Sequence, residues 1–358
     1  MKGAIFHGPR EPLTVEGVEI DRPLEDEVLV RVVASGVCHS DVHYVDGYYE
    51  VVAPSILGHE AAGIVEEVGS RVDEFRPGDH VIACPSAFCG RCDYCLTGRT
   101  HLCPSRPARS AEAPARLRWH GQPVGQFLNL SAYAEQILVH PNAIVKVRDD
   151  LPLDRGALIG CGVTAGMGAV LNTARIEPGS TVAVFGCGGV GLSAIQGARI
   201  AGARMIVAVD VHEHKLATAC ELGATHAVNA GTVDPVEYIV ALTNGGVEYA
   251  FEAIGLKTAA EQCFACLRSG GTATVIGMIP VGQKVELEGS SFLSEKKIQG
   301  SMMGSNRFKV DMPKYIDFYT QGRLRLDEMI TKRIQLEDIN EAFRAMKAGE
   351  VSRSVIVF

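Results

Sequence analysis

The stretch Thr181-Val182-Ala183-Val184-Phe185-Gly186-Cys187-Gly188-Gly189-Val190-Gly191 decides the fold. Its first five residues form an unbroken apolar run, the pattern of a strand buried on both faces. The next six satisfy G-x-G-x-x-G, and LSAIQGARIAGA behind them has helical spacing. MIVAVD at 205–210 gives a second buried strand that ends in Asp210, 19 residues after Gly191. Three glycines alone say little. Set between a strand and a helix, with an acid closing the next strand, they predict a dinucleotide site. Gly186, Gly188, Gly189, Val190 and Gly191 would bring backbone against a pyrophosphate, where a helix N-terminus offers donors and partial positive charge. Asp210 would accept from the adenosine ribose hydroxyls and repel a 2′-phosphate, so the expected cofactor is NAD rather than NADP.

Outward from this loop the chain keeps alternating. HEHKLATACELGA, DPVEYIVALT and KTAAEQCFACLRSGG read as helices, the last stopped by its glycines; THAVN, VEYAFEAIG and GTATVIGM read as strands. Such alternation builds a doubly wound parallel sheet, an α/β fold of the Rossmann type. Residues 1–150 differ. They are rich in Val, Gly and Pro, with short alternating runs (VLVRVVASG, AAGIVEEVG, HVIAC) that predict a β-rich domain. The last 50 residues hold a helix, LEDINEAFRAMKAG, and a final strand, SVIVF.

A chain of 358 residues fits two domains at about 150 residues each. Its 34 basic and 42 acidic residues leave a net charge of −8 with no basic block, which argues against nucleic acid or an anionic membrane as partner. The opening MKGAIFHGPREP has too short an apolar run for a signal peptide, so the expected location is the cytoplasm. Two uncharged stretches, 156–174 and 178–198, are long enough to cross a bilayer. Both are broken by glycines, and the second is better read as the strand–turn–helix above.

Eleven cysteines, an odd number, point to metal binding or core packing rather than to a disulfide scaffold. Cys89, Cys92 and Cys95 stand at steps of three, and Cys103 follows closely. Four thiolates at such spacing match a tetrahedral zinc site with no position left open, which makes it structural. Cys263 and Cys266, three apart, read as buried helix-face thiols rather than a redox pair.

Two further segments carry unusual groups: GVCHSDVH, with Cys38, His39, Ser40, Asp41 and His43, and LGHEAAG, with His59 and Glu60. Spacing alone does not join them to Cys161 in GCGVTAG, about a hundred residues on. At this point the chain resembles the zinc-dependent alcohol dehydrogenases of the medium-chain dehydrogenase/reductase family. The G-H-E motif, the four-cysteine lobe, G-C-G, the glycine loop and the closing S-R-S-V-I-V-F carry the resemblance nearly end to end. It implies a Rossmann domain, 163–303, inserted into a GroES-like β-rich catalytic domain, 1–162 and 304–358, with the zinc lobe at about 84–104.

The resemblance further implies two zincs per chain, the closed lobe and an open catalytic site held by Cys38, His59 and Cys161. Glu60 lies beside the catalytic metal. Asp41 would fix the tautomer of His59. Ser40 would take the hydroxyl proton, and His43 would pass it to solvent. His39 and Arg353 match cationic positions at the pyrophosphate, Asp210 and Lys215 match the adenosine-ribose pair, and Phe127 and Leu128 match the substrate channel. The implied activity is hydride transfer between an alcohol or aldehyde and NAD, in a homodimer formed through the edge of the Rossmann sheet near GTATVIGM or KKIQGSMMGS. Two alternatives stand beside it. One is oxidation of a thiol–formaldehyde adduct such as S-(hydroxymethyl)glutathione, for which Arg106, Arg109, Arg116 or Arg118 would bind the anion. The other is a non-catalytic NAD-binding redox sensor on the same fold.

Overall fold

The computed structural model describes residues 1–107 and 113–358. The chain divides into two units: 1–161, 307–317 and 330–358 form the first, and 162–306 and 318–329 the second.

The second unit is built on six parallel strands. Across the sheet they run His226–Asn229, Met205–Asp210, Thr181–Phe185, Val247–Glu252, Leu267–Val275 and Lys297–Gly300. Counted along the chain, that order is 3-2-1-4-5-6, which reverses beside Thr181–Phe185 and opens a crevice at the strands' carboxyl ends. Every residue of Thr181–Phe185 is buried, as a strand covered on both faces requires. Local chemistry sets the helices between. Before Pro235–Thr243, the Asp234 carboxylate accepts from the backbone N–H groups of Val236 and Glu237 at 2.8 and 3.0 Å, and Asn244 ends the helix in the left-handed conformation.

One boundary differs from expectation. The helix Lys257–Ala265 stops before its glycines, and the strand Leu267–Val275 runs through Gly270 and Gly271 with a register shift opposite Val247 and Tyr249. Glycine marks a bulge here rather than a helix stop. Cys263 lies on that helix and Cys266 at its end; both are buried and unpaired. Leu267–Val275 is also paired on both sides, so Lys297–Gly300, and not GTATVIGM, forms the edge.

Residues 318–329 group with this unit, although the sequence placed all of 304–358 in the other. Reciprocal bonds hold them: Arg325 N–H donates to Gln196 Oε1 at 2.7 Å, Gln196 Nε2 donates to the Arg325 carbonyl at 3.1 Å, and Arg325 pairs with Glu221. The uncharged stretch 156–174 falls within Leu153–Ala174, whose most apolar window is 78% buried.

The first unit carries two sheets. The larger has Val28–Gly36 at its centre, flanked by Ala61–Val68 on one side and by Ser354–Val357 and Gln136–Val139 on the other. Val28, Val30 and Val32 are buried as the alternation of VLVRVVASG demands. The other sheet, also six-stranded, includes Lys2–Phe6 and Gln122–Gln126. Helix Ile339–Lys347 buries Ile339, Ala342, Phe343 and Met346, one apolar stripe at helical spacing.

Candidate active site

Strands Val28–Gly36 and Ala61–Val68 lie antiparallel with Ser35 opposite Ala61. The chain just past the first strand therefore meets the chain just before the second, which brings Cys38 to His59 and Glu60. Cys161 arrives from the π-helical turn Ile159–Val163. One ligand atom from each of the four lies within 4.8 Å of the others, and all four residues are buried. These are the residues that the sequence alone could not join.

The electrostatics suit a cation. Hydrogen bonding with Cys161 pulls the Cys38 thiol well below its ordinary range, with His59 and Arg353 adding to the effect against burial. Its partner Cys161 is pushed well up. Burial opposes charge on His59, but Asp41 and Cys38 hold it well above the usual imidazole value. The His59 Nδ1 atom lies 3.1 Å from Asp41 Oδ1, so a proton held on Nδ1 by the carboxylate would leave Nε2 as the ligand nitrogen. Burial lifts the Glu60 carboxyl to about 7 despite its ion pair with Arg353. Glu60 Oε1 is buried without a partner. Two thiols and an imidazole around one point fit a zinc ion with an open position, and the orphaned Glu60 oxygen lies beside them.

The second cluster is Cys89, Cys92, Cys95 and Cys103. Cys92 Sγ lies 3.5 Å from Cys95 and 3.8 Å from Cys103, and Cys89 Sγ lies 3.9 Å from Cys95. Zn–S bonds of about 2.3 Å in a tetrahedron put sulfurs about 3.8 Å apart. The backbone N–H of Arg91 draws the Cys89 thiol down to about 6, while burial and Cys92 push Cys95 up to about 12. Four such sulfurs ionise together only around a cation, and the set fits structural zinc.

The glycine loop fits a dinucleotide. A Cβ on Gly191 would stand 1.7 Å from the Gly186 carbonyl oxygen, so only glycine lets the helix start this close to the strand. A Cβ on Gly188 would meet nothing within 4 Å, leaving its face open to a ligand. Gly189 and Val190 begin the helix Gly189–Ile200. Asp210 Oδ2 accepts from the Cys187 N–H at 2.8 Å, and Oδ1 from Val211 and His212. Lys215 sits half-buried in the next helix, Glu213–Leu222.

His39, Ser40 and His43 lie on the short helix His39–Val45 that Cys38 caps. Ser40 Oγ is 3.6 Å from Cys38 Sγ. His43 is half-buried, and burial followed by the charge of His39 depresses its pKa below 6.5. Phe127 is buried, with its ring 6.2 Å from His59 and 4.7 Å from Tyr44. Leu128 is exposed and left-handed, at φ +50°. Arg353 is buried and faces Glu60 and the Val37 carbonyl. Of the arginines considered as anion binders, Arg116 pairs with Asp21 and Glu27, Arg118 with Asp21, and Arg106 donates to the carbonyls of Pro85 and His101. Arg109 lies outside the described residues. Trp119 packs against His7, with ring centroids 5.3 Å apart.

Two residues carry more than the sequence suggested. Tyr133, inside GQFLNLSAY, donates its hydroxyl to Asp41 at 2.6 Å. Glu252, buried at its strand's carboxyl end, accepts from the N–H groups of Ile254, Gly255 and Gly277. An acid closing a buried strand was the available signal for Glu252; nothing local marks Tyr133.

Comparison with known proteins agrees with this geometry. Residues 24–149 match the alcohol dehydrogenase GroES-like domain, and 189–321 match the zinc-binding dehydrogenase family. The class-3 alcohol dehydrogenase of Pisum sativum is 36% identical over 99% of this chain and 97% of its own length. That of Cereibacter sphaeroides is 37% identical, with 97% of each covered. Among solved structures, benzyl alcohol dehydrogenase from Acinetobacter calcoaceticus superposes with a TM-score of 0.95 at 33% identity, over 100% of this chain and 99% of its own. An alcohol dehydrogenase zinc-binding domain protein from Burkholderia ambifaria gives 0.95 at 37%, covering 100% and 98%. Likeness of this extent leaves one assignment: the chain belongs to the zinc-dependent alcohol dehydrogenases of the medium-chain dehydrogenase/reductase family, oxidoreductases that work with zinc and NAD.

Proposed function

We propose that this chain interconverts an uncharged, apolar primary alcohol and its aldehyde with NAD, using Cys38, His59 and Cys161 to hold the catalytic metal. The observation that carries this reading is the buried four-residue cluster with the His59 ring already tied by Asp41. Zinc in that cluster supplies Lewis acidity that makes an alcohol hydroxyl far easier to deprotonate. Oxidised nicotinamide supplies the hydride acceptor.

The chain's own residues do the rest. Asp41 keeps the proton on His59 Nδ1 and so keeps Nε2 a ligand. Ser40, beside Cys38, accepts the hydroxyl proton. His43 is three residues on along the same helix, hence on the same side as Ser40. Its depressed pKa keeps it neutral and able to carry that proton to solvent. Glu60 places a second charge beside the metal, and Arg353 balances it. Phe127 gives the substrate an apolar wall near His59, and Leu128 extends it. On the cofactor, Gly186, Gly188, Gly189, Val190 and Gly191 cradle the pyrophosphate and Asp210 and Lys215 hold the adenosine ribose; His39 remains the candidate for the pyrophosphate, because Arg353 is buried against Glu60.

The thiol–formaldehyde adduct is the weaker reading. Each of its described arginine candidates already donates to protein oxygens. A non-catalytic sensor has no use for an intact Cys38, His59 and Cys161 set beside Ser40 and His43. The proposed assembly is a homodimer through the edge strand Lys297–Gly300, near exposed Phe292 and Leu293. The proposed location is the cytoplasm, because six of the eleven cysteines serve as ligands only when reduced.

A panel of alcohols and aldehydes, with S-(hydroxymethyl)glutathione among them, assayed with NAD and NADP on zinc-loaded protein tests the reading. Highest kcat/KM for an uncharged alcohol with NAD supports it. Highest kcat/KM for the glutathione adduct selects the second reading, and no turnover with two zincs bound defeats both.

A further inference from the structure

Asp41 is fully buried, and donors reach both of its oxygens. His59 Nδ1 lies 3.1 Å from Oδ1, the Gly58 backbone N–H donates to the same oxygen at 3.2 Å, and the Tyr133 hydroxyl donates to Oδ2 at 2.6 Å. Tyr133 is itself fully buried and is held by the segment that bears His59. Its backbone N–H donates to the Leu57 carbonyl at 3.0 Å, and the N–H of Ala132 donates to the Gly58 carbonyl at 2.9 Å. Gly58 has φ +87°, and a Cβ there would stand 2.6 Å from the Tyr133 ring. Ring and backbone thus pack tightly together, with the hydroxyl directed at Asp41.

We propose that Tyr133 is a positioning residue for the catalytic metal: by holding Asp41 it fixes the ring plane and tautomer of His59, so that Nε2 stays directed at Cys38 and Cys161. This rests on the reading of Cys38, His59 and Cys161 as zinc ligands. A carboxylate oxygen without a donor in a dry interior is costly, and the carboxylate relieves that cost by turning toward another donor. For Asp41 such a turn would draw Oδ1 away from His59. The Tyr133 hydroxyl on Oδ2 removes the incentive. Tyr133 has no surface open to a substrate or cofactor, so its effect falls on metal retention and ligand geometry.

The test is Tyr133→Phe, which keeps the ring and removes only the hydroxyl, compared with Asp41→Asn and wild type. Each protein is loaded with zinc and mixed with excess chelator, and release of the two zincs is followed as separate phases. Parallel samples carry cobalt(II) at the catalytic site for spectroscopy. Losing a direct outer-shell partner typically costs about 10–100-fold in metal affinity. Asp41→Asn should fall in that range. Tyr133→Phe, one link further out, should release the catalytic zinc at least about threefold faster than wild type. Its cobalt spectrum should shift, and the four-cysteine phase should stay unchanged. Wild-type release and a wild-type cobalt spectrum in Tyr133→Phe, with Asp41→Asn still fast, would overturn the proposal even if the melting temperature fell, because Tyr133 would then only pack. Unchanged release in Asp41→Asn as well, or a single zinc in wild type, would overturn the ligand reading and the proposal with it.

Discussion

Glu60 and Arg353 form an ion pair sealed from solvent, yet each keeps one buried polar atom without a partner: Oε1 on the carboxylate and Nε on the guanidinium. Breaking a buried pair by removing one member strands the other charge, which costs about 3–5 kcal/mol. Arg353→Ala should therefore lose stability on that scale by urea denaturation, and Glu60→Gln less, because an amide can still accept from the arginine. Equal stability of wild type and Arg353→Ala would show that the pair contributes nothing net.

Cys92→Ser should remove one of the two zincs and lower the unfolding midpoint sharply. A structural zinc contributes folding free energy, and domains have only about 5–15 kcal/mol to lose. Elemental analysis and thermal unfolding check this. A mutant as stable as wild type but inactive would mean that the two clusters have been assigned the wrong way round.

The NAD preference rests on Asp210, whose carboxylate sits at the glycine loop and is bonded to the Cys187 N–H. Hydrogen bonds to a charged group are worth about 1.5–3 kcal/mol, or roughly 10- to 100-fold. Asp210→Gly should narrow the NAD-to-NADP ratio of kcat/KM by about that factor. A wild-type enzyme indifferent to the 2′-phosphate would contradict the assignment.

Ser40 and His43 should matter unequally. Ser40→Ala should cut kcat by about 10²–10⁴-fold, the usual range for general acid–base steps. His43→Gln should cost less, because water can replace the solvent end of the relay. The pH profile follows from His43, whose folded pKa lies below 6.5. Neutral His43 persists below pH 6.5, so kcat/KM should fall only under that value, and this limb should vanish in His43→Gln. The unfolded chain protonates its histidine first, so the same shift makes stability decline as pH drops from 6.5 through the folded value. Ser40→Ala with normal zinc and near-normal turnover would eliminate the relay.

Leu293 is 91% exposed on the segment leading to the edge strand. Wild type should scatter light as a dimer and Leu293→Asp as a monomer, since a charge there would face its own symmetry copy. A monomeric wild type would exclude the proposed assembly.

What the sequence discloses here is what is local. Thr181–Phe185 and its loop are contiguous, and a strand covered on both faces has no polar alternation to blur it. The four-cysteine lobe spans fifteen positions, and its chemistry is in its spacing. The start of strand Leu267–Val275 is hidden in the sequence because Gly270 and Gly271 look like a helix stop until Val247 and Tyr249 stand opposite them. Tyr133 and Asp41 are 92 residues apart, Glu60 and Arg353 are 293 apart, and no periodicity announces either pair. Arg353 was anticipated as a cation, but not its burial against Glu60. The segment 318–329 likewise joins its unit through Gln196 and Glu221, far back along the chain.

Strand Ser354–Val357 is hydrogen-bonded directly to Val28–Gly36, the middle strand of the catalytic sheet. A ribosome adds residues from the other end, so that slot stays empty until more than three hundred further residues have been made. Arg353 comes with the late strand, and until it arrives the nascent chain holds Glu60 without its counter-charge. All the parallel strands of the dinucleotide unit have by then been synthesised. Order of completion is thus the reverse of order of synthesis: the unit that binds the cofactor can finish first, and the unit that holds Val28–Gly36 must wait for Ser354–Val357.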